Sequence, residues 1–324
     1  MTMKTFIHLL FTFYFFFSFV SCRQEQVPLT QEELARQDSL SLHVAVMSVI
    51  DCLPIYYAER MGIFSNVGIQ VRLHEYLSQM DCDTALLKGR SQLAYTDYAR
   101  LLDQQTDTLP LNILFSINGQ VKLVTAHSKR IRKLRNLKER TVALNRLSMA
   151  DYWSDEIMHK AQLDQADIYR PQINDLRLRT SMLIEQLVDA ALLPEPYATQ
   201  AIIQGNPCIF STPDSTYIYS CIALQERILA DTLRAKQIRL FVKAYNAAVE
   251  EINAKSYPDS IRKTLIQQYQ IPSTLVDSLH IPILRKAFQP RQNDIEQVAL
   301  WLKERERKIS THSPILPARF SITE

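Results

Sequence analysis

Glycine is scarce in this chain, at 5 of 324 residues, about a fifth of the usual ~7%. That excludes collagen-like and glycine-rich architectures. Neither GxGxxG nor GxxxxGK[ST] occurs, so the two common nucleotide cradles are missing. GxSxG and HExxH are absent too, which removes the hydrolase elbow and the zincin helix. No CxxC is present to suggest a thioredoxin-like or zinc-ribbon site. Charge of one sign is also lacking. Lys and Arg number 37 against 34 acidic residues, a net charge of +3, which is too near zero to argue for nucleic acid. What is present is ordinary for a folded protein, with 47% apolar and 22% charged residues. The length suits two domains or one long α/β domain.

The apolar residues are unevenly spread. Seven of the 13 Phe fall in the first 20 residues. Lys4 precedes an apolar run of 15 residues, Phe6 to Val20, interrupted only by His8, Thr12 and Ser18. That is short for a membrane span, which needs about 20 residues, and fits the apolar core of a secretory signal. The run ends in Phe19-Val20-Ser21-Cys22 and turns polar at Arg23. This junction resembles the lipobox of bacterial lipoproteins, with Phe19 where leucine is usual. The resemblance implies cleavage after residue 21 and lipidation of Cys22, and so a membrane-anchored protein on the periplasmic side or cell surface. Residues 22–41 then read as lipid anchor and polar tether. No later stretch approaches 18 consecutive apolar residues.

From Leu42 onward, short β-branched runs alternate with helical stretches, the texture of parallel-sheet α/β structure. Strands are predicted at Leu42–Ser48, Ile69–Leu73, Leu93–Thr96, Leu111–Ser116, Lys122–Ala126, Thr141–Leu144 and Ala190–Leu193. Two further strands, Cys208–Ser211 and Tyr217–Ala223, flank Pro213. Helices are predicted at Pro54–Met61, closed by Gly62, and from a cap at Asp83 to Gly89. Others fall at Asp97–Gln105, at Met149–Ala161 capped by Ser148, at Thr180–Leu187 and at Ala198–Gln204. Ile238, Phe241, Val242, Tyr245, Ala248, Val249 and Ile252 recur at steps of three and four, one buried helical face. Further helices are predicted from Pro258 to about Tyr269 and around Ile295–Leu302. Residues 309–324 look like a loose tail. Seven Lys/Arg lie in the 12 positions from Lys129 to Arg140, which reads as a solvated face rather than a nucleic-acid patch.

Several phrases, in order, resemble one family. Pro54-Ile55-Tyr56-Tyr57-Ala58-Glu59-Arg60-Met61-Gly62-Ile63-Phe64 is similar to its opening P-L-Y-Y-A-x-x-x-G-L-F. Val67-Gly68-Ile69-Gln70-Val71 resembles the strand that follows, and Ala85 to Gly89 with Leu93 to Asp97 resembles A-L-L-x-G-x-x-D-V-G-V-T-D. Leu137-Lys138 through Asn145 is similar to D-L-K-G-K-x-V-A-V, except that Glu139 stands where the family has glycine. Val188 to Ala198 resembles V-D-A-A-x-x-x-E-P-Y-A. The family is the nitrate/sulfonate/taurine and thiamine-pyrimidine type of periplasmic solute-binding protein, and the likeness spans about residues 42–255.

The resemblance implies a two-lobed, type II periplasmic binding fold of class α/β. Its mixed sheets carry helices on both faces and two crossover strands join the lobes. Lobe one would comprise 42–118 plus 222–308, lobe two 119–221, with 309–324 as a C-terminal tail. It implies a lipid-anchored receptor that captures a small organic ligand between the lobes for an ABC importer permease, without catalysis. A monomer is expected, with no cofactor, no metal and no nucleic-acid partner. Two other readings stay open: a sensory or protein-binding lipoprotein of the same fold, and an enzyme that uses the cleft for small-molecule biosynthesis.

In such sheets ligands sit beyond the strand carboxyl ends, where helices begin. The strand-to-helix junctions therefore supply the candidate ligand-binding residues. In lobe one these are Asp51, Cys52, Tyr56, Asp81, Cys82, Thr96 and Asp97, with Tyr95 as a stacking ring. In lobe two they are Asn145, Arg146, Ser148, Glu195 and Tyr197. Arg146 is the expected partner of an anionic ligand. Asp51, Asp81, Asp83 and Asp97 would gather round one mouth and favour a ligand with an amine. Thr96, Asp97 and Ser148 are equally good helix caps, and the tyrosines good core residues. Four cysteines remain beyond Cys22 in an exported chain. Cys52 with Cys82, and Cys208 with Cys221, are candidate disulfides. Free thiols or a metal site at Cys52 and Cys82 are the alternatives.

Overall fold

The computed structural model describes residues 30–117, 119–212, 219–254, 259–279, 281–317 and 320. The signal segment and Cys22 lie outside the described residues, as do Asn118, Pro213, Tyr217 and Pro258. The chain divides into Met1–Leu40 and Ser41–Glu324. In the first unit, part of the expected tether is a helix, α1 (Gln31–Leu40). Thr30 and Glu33 cap it reciprocally. Glu33 N–H donates to Thr30 Oγ1 at 3.2 Å, and Thr30 N–H donates to Glu33 Oε2 at 2.9 Å, a capping box.

The second unit holds two five-stranded sheets. Sheet one draws on β1 (Leu42–Met47), β2 (Val71–Tyr76), β3 (Leu93–Asp97), β4 (Leu111–Ile117) and β10 (Ser220–Gln225), in the order β2-β1-β3-β10-β4. Sheet two draws on β5 (Lys122–Thr125), β6 (Arg140–Ala143), β7 (Ile168–Tyr169), β8 (Ala190–Leu193) and β9 (Cys208–Ser211), in the order β7-β6-β8-β5-β9. Both are mixed. β1 runs parallel to β2 and β3, while β10 is antiparallel to β3 and β4. β6 runs parallel to β7 and β8, while β5 is antiparallel to β8 and β9. The antiparallel strand of each sheet marks where the chain passes between the two, after β4 and before β10. β3, β4 and β8 are buried at every position and β1 at every position but His43, because helices cover both faces.

The helices are α2 (Leu53–Arg60), α3 (Ile63–Asn66), α4 (Gln79–Leu87), α5 (Tyr98–Gln104), α6 (Met149–Ala161), α7 (Leu176–Ile184), α8 (Tyr197–Ile203), α9 (Thr232–Ala254), α10 (Asp259–Gln267), α11 (Ser273–Val276) and α12 (Gln292–Glu304). Pro54 in the first turn starts α2, and Gly62 at φ 70° turns the chain into α3. α4 begins earlier than expected. Ser78 caps it, accepting from Asp81 N–H at 3.2 Å. Asp83 lies inside the helix, buried and paired with Arg100. Ser148 caps α6, accepting from Ala150 N–H at 3.2 Å.

Two expectations are corrected. The described C-terminal residues, 309–317 and 320, are docked, not loose. Ile113 N–H donates to Pro314 O at 2.8 Å, extending the β4 edge of sheet one, and Leu316 and Phe320 are buried. All four described cysteines are free thiols. Cys208 and Cys221 sit in different sheets, on β9 and β10. Cys52 and Cys82 are both fully buried, and the Cys82 thiol is turned to the Val46 carbonyl at 3.6 Å. Among the described residues, no helix is long and apolar enough to cross a membrane, and no three His, Cys, Asp or Glu are grouped to hold a metal.

Candidate functional site

A cleft of about 690 Å³, its mouth included, opens between the two sheets. Its wall on the sheet-one side carries Met47, Asp51, Tyr95, Asp97 and Ser220. Its wall on the sheet-two side carries Asn145, Met149, Trp153, Asn174 and Arg179. Gly119 and Gln120 close it where the chain passes between sheets, and Tyr219 does so at the return.

Main-chain and side-chain bonds tie the walls together. Ile50 N–H donates to Glu195 O at 3.0 Å. Met149 N–H, at the start of α6, donates to Asp97 Oδ2 at 3.2 Å. Asn145 Nδ2 donates to Gln79 Oε1 at 3.0 Å.

Asp51 and Asp97 face the cleft with raised pKa values. Burial pushes the Asp51 carboxyl up, opposed by the hydrogen bond from Tyr95 O–H at 2.7 Å and by Ser220. Burial also lifts Asp97 to about 6, against the N–H of Arg100, the Arg100 charge and the N–H of Met149. Gly119 is packed so closely here that a Cβ would stand 2.7 Å from Asp51 Oδ2 and closer still to Ser220 Oγ.

The cation of the cleft is Arg179, only 2% exposed. Its Nε and Nη2 donate to Ile173 O at 2.8 and 2.6 Å, and its Nη1 to Leu192 O at 2.9 Å. These bonds use three of five guanidinium N–H groups. Its partners are neutral carbonyls, and burial lowers its pKa to about 9, with Asp175 a weaker opposing charge. A guanidinium out of water without a carboxylate in contact is costly.

Of the residues expected from sequence, Asp51, Asp97 and Asn145 line the cleft, as does the ring of Tyr95. The others serve elsewhere. Cys52 and Cys82 are sealed beneath the junctions, and burial raises both thiols well above their ordinary value. Tyr56 packs edge-on against Tyr269 in the core. Asp81 is exposed and accepts from Ser78 O–H at 2.7 Å. Thr96 donates to Asp83 at 2.6 Å. Ser148 caps α6. Arg146, the expected anion partner, is exposed and off the cleft. Glu195 is paired with Lys122 at 2.6 Å and accepts from Thr199 N–H at 3.0 Å. Tyr197 is buried at the start of α8. The four acids do not ring one mouth, since Asp81 faces solvent and Asp83 is neutralised by Arg100. Sequence reasoning missed Trp153 and Arg179. Both lie within helices rather than at their starts, and neither carries a local motif.

The sequence matches the family model described as NMT1/THI5 like over residues 50–257. No curated protein sequence matches the chain. The fold is shared with solved structures at low identity. The alkanesulfonate-binding protein SsuA from Xanthomonas axonopodis pv. citri, bound to MOPS, is 14% identical with a TM-score of 0.72. That likeness covers 87% of this chain and 97% of that one. The periplasmic nitrate-binding protein NrtA from Synechocystis PCC 6803 is 12% identical with a TM-score of 0.65, covering 78% and 74%. The desulfurization enzyme DSZB is 11% identical with a TM-score of 0.59, covering 84% and 94%. The architecture is that of the periplasmic binding proteins, and the chain belongs to the NMT1/THI5-like family.

Proposed function

We propose that this protein is an exported, lipid-anchored solute receptor that binds a small organic anion between its two lobes and delivers it to an ABC importer permease. Lobe one would be 42–118 with 222–308, and lobe two 119–221. The signal-like start and Cys22 support the anchor, and an anchored body would stand on the periplasmic side or cell surface; the state we propose for it is a monomer. The observation that carries the ligand class is Arg179. It lines the cleft with, among the described residues, two N–H groups unused and no carboxylate in contact. An anionic ligand would supply the missing charge through strong charge-assisted hydrogen bonds. Met47, Met149 and Trp153 offer an apolar body the shelter a bare inorganic ion would not need.

Thermal unfolding of the full-length protein against sulfonates, carboxylates, phosphate esters, nitrate and neutral heterocycles tests this. A ligand at 100 times its Kd adds about 2.7 kcal/mol, which for a body of this size raises Tm by several degrees. Organic anions should shift wild type, while Arg179→Lys and Arg179→Met should lose at least about tenfold in affinity. Binding confined to neutral or cationic compounds would refute the anion reading.

A further inference from the structure

The basic stretch from Lys129 to Arg140 has a definite place in the fold. β5 leaves the cleft near Val121 and runs out to Thr125, and β6 starts at Arg140 and runs back toward Asn145, which lines the cleft. Residues 126–139 therefore turn at the end of sheet two remote from the cleft. Ile131 and Leu137 are buried in one cluster with Val142 and Leu144, which pins the segment to the sheet. Beside these two anchors Arg130, Arg132, Lys133 and Arg135 are exposed. The other cations of the stretch meet acids. Lys129 lies 3.3 Å and Arg140 3.9 Å from Asp189, and Lys138 lies 3.4 Å from Asp167. Among the described residues, Arg130, Arg132, Lys133 and Arg135 have no acidic partner, and Glu139 is the only acid between Lys129 and Arg140. We propose that this end of sheet two is a docking face for the headgroups of an anionic phospholipid bilayer.

This rests on the anchored-receptor reading above. A lipid on Cys22 would hold the body at high effective concentration over one membrane, so a contact that is weak in solution becomes populated. Three features point to a bilayer. The first is charge. Exposed cations without acidic partners are drawn to an anionic membrane surface, about fivefold in association for each Lys or Arg. The second is the apolar company they keep. Leu187 is 68% exposed, and Gln186 before it accepts Ser128 N–H at 3.2 Å and Ser128 O–H at 2.6 Å, which ties the leucine's turn to the basic segment. Tyr169, 63% exposed, pairs with Thr141 in the first turn of the pleat beyond Arg140. Leucine and tyrosine side chains beside cations suit the membrane interface, where the apolar parts enter the headgroup region. A nucleic-acid backbone would gain nothing from them. The third is position. The cleft lies toward the other end of sheet two, so docking here leaves its lining untouched.

The test reads the contact directly. Full-length protein is incorporated into vesicles of phosphatidylcholine alone, and of phosphatidylcholine mixed equally with phosphatidylglycerol. Lysines are acetylated briefly from the water phase and mapped by mass spectrometry, with the exposed Lys243 of α9 and Lys303 of α12 as references. Relative to these, Lys133 should react at least about fivefold more slowly on mixed than on neutral vesicles, and high salt should abolish the difference. The combined variant Arg130→Gln, Arg132→Gln, Arg135→Gln changes only exposed side chains and should lose the protection. Arg130→Lys, Arg132→Lys, Arg135→Lys should keep it. Equal labelling of Lys133 on both vesicles, or protection that survives the glutamine variant, would overturn the docking face. Flotation with neutral vesicles in high salt reports the anchor separately, so its persistence in that case leaves the anchor standing. Loss of flotation overturns the anchor, and protection of Lys133 on mixed vesicles would then support the docking face alone. Protection by soluble DNA or polyphosphate equal to that by mixed vesicles would overturn the bilayer as the partner.

Discussion

Asp97 joins Met149 across the cleft: its Oδ2 accepts the Met149 N–H at 3.2 Å while its Oδ1 accepts the Arg100 N–H at 2.9 Å. One carboxyl therefore caps α5 on one side and steadies the first turn of α6 on the other. Burial holds its pKa at about 6, above the ordinary 3.8. Between those values the folded chain keeps a proton that the unfolded chain has released. The contribution of this group to stability is greatest below pH 3.8, falls as pH rises to 6, and is flat beyond. Asp97→Asn removes the titration. The Tm of wild type minus that of Asp97→Asn should fall between pH 4 and pH 6 and level off above about 6.5. A difference that stays constant across that range would mean Asp97 titrates normally.

Gly119 sits where the cleft has no room for a side chain. Gly62, Gly68, Gly89 and Gly205 all have positive φ, between 69° and 84°, while Gly119 is needed for space. A methyl group there meets the Asp51 carboxylate and the Ser220 hydroxyl. Gly119→Ala should cost ligand affinity at least about tenfold, because the crowded groups line the pocket. Its Tm without ligand should fall by only about 2–6 °C, for an overpacking cost of ~1–2 kcal/mol. Calorimetry beside thermal unfolding separates the two, and unaltered affinity would show that this segment does not shape the pocket.

Much of the scaffold was legible because strand and helix periodicities agreed with their punctuation. α6 begins and ends where Ser148 and the apolar spacing place it. β1 and β3 fall within one residue of the strands expected there, and β8 coincides with its apolar run. The misses have physical causes. α1 was signalled by Thr30 and Glu33, a capping box that outweighs a weak apolar pattern. Asp83 imitates a cap by residue type, but its side chain is claimed by Arg100 from another element. The C-terminal stretch has little local preference and is ordered by the edge of β4. The cleft was half legible. Junction residues such as Asp51 and Asp97 follow from topology. Arg179 and Trp153 reach the cleft from helix interiors, and only tertiary packing brings them there.

The cysteines give a chemical check on the fold. Cys52, Cys82 and Cys221 are fully buried and Cys208 is exposed. Burial raises all four thiols, least of all in Cys208 by its exposure. Brief alkylation of the native protein, followed by peptide mapping, should modify Cys208 and spare the other three. In denaturant all four should react without prior reduction. A requirement for reductant at Cys52 and Cys82 would mean that a bridge forms between them.

Asp155 of α6 gathers three partners. Trp301 Nε1 of α12 donates to its Oδ2 at 2.7 Å, Arg305 pairs with the same oxygen, and Arg170 Nη1 lies 2.7 Å from Oδ1. α12 packs on the sheet-one side and α6 on the other, so the carboxylate clasps the two. Asp155→Ala takes the carboxylate from Arg305, while Arg170 keeps Asp151 at 3.2 Å, and should destabilise the body by about 2 kcal/mol. It should also speed ligand release, because any variant that favours lobe separation lowers apparent affinity by the lost closed fraction. Stopped-flow dissociation that is unchanged, beside a lowered Tm, would confine Asp155 to stability.

Glu139 occupies the position where the family phrase has glycine, and its φ is 59°. The backbone thus keeps the left-handed turn that glycine would serve, and its N–H donates to Asp167 O at 2.6 Å. A side chain in this region costs about 1–2 kcal/mol. Glycine removes that cost but adds ~0.5–1 kcal/mol of unfolded-chain entropy. The balance favours Glu139→Gly by about 0.5–1 kcal/mol, a rise in Tm of about 1–3 °C. The turn is remote from the cleft lining, so ligand affinity should not move. A fall in Tm would mean that contacts of the Glu139 side chain outweigh the strain of its backbone.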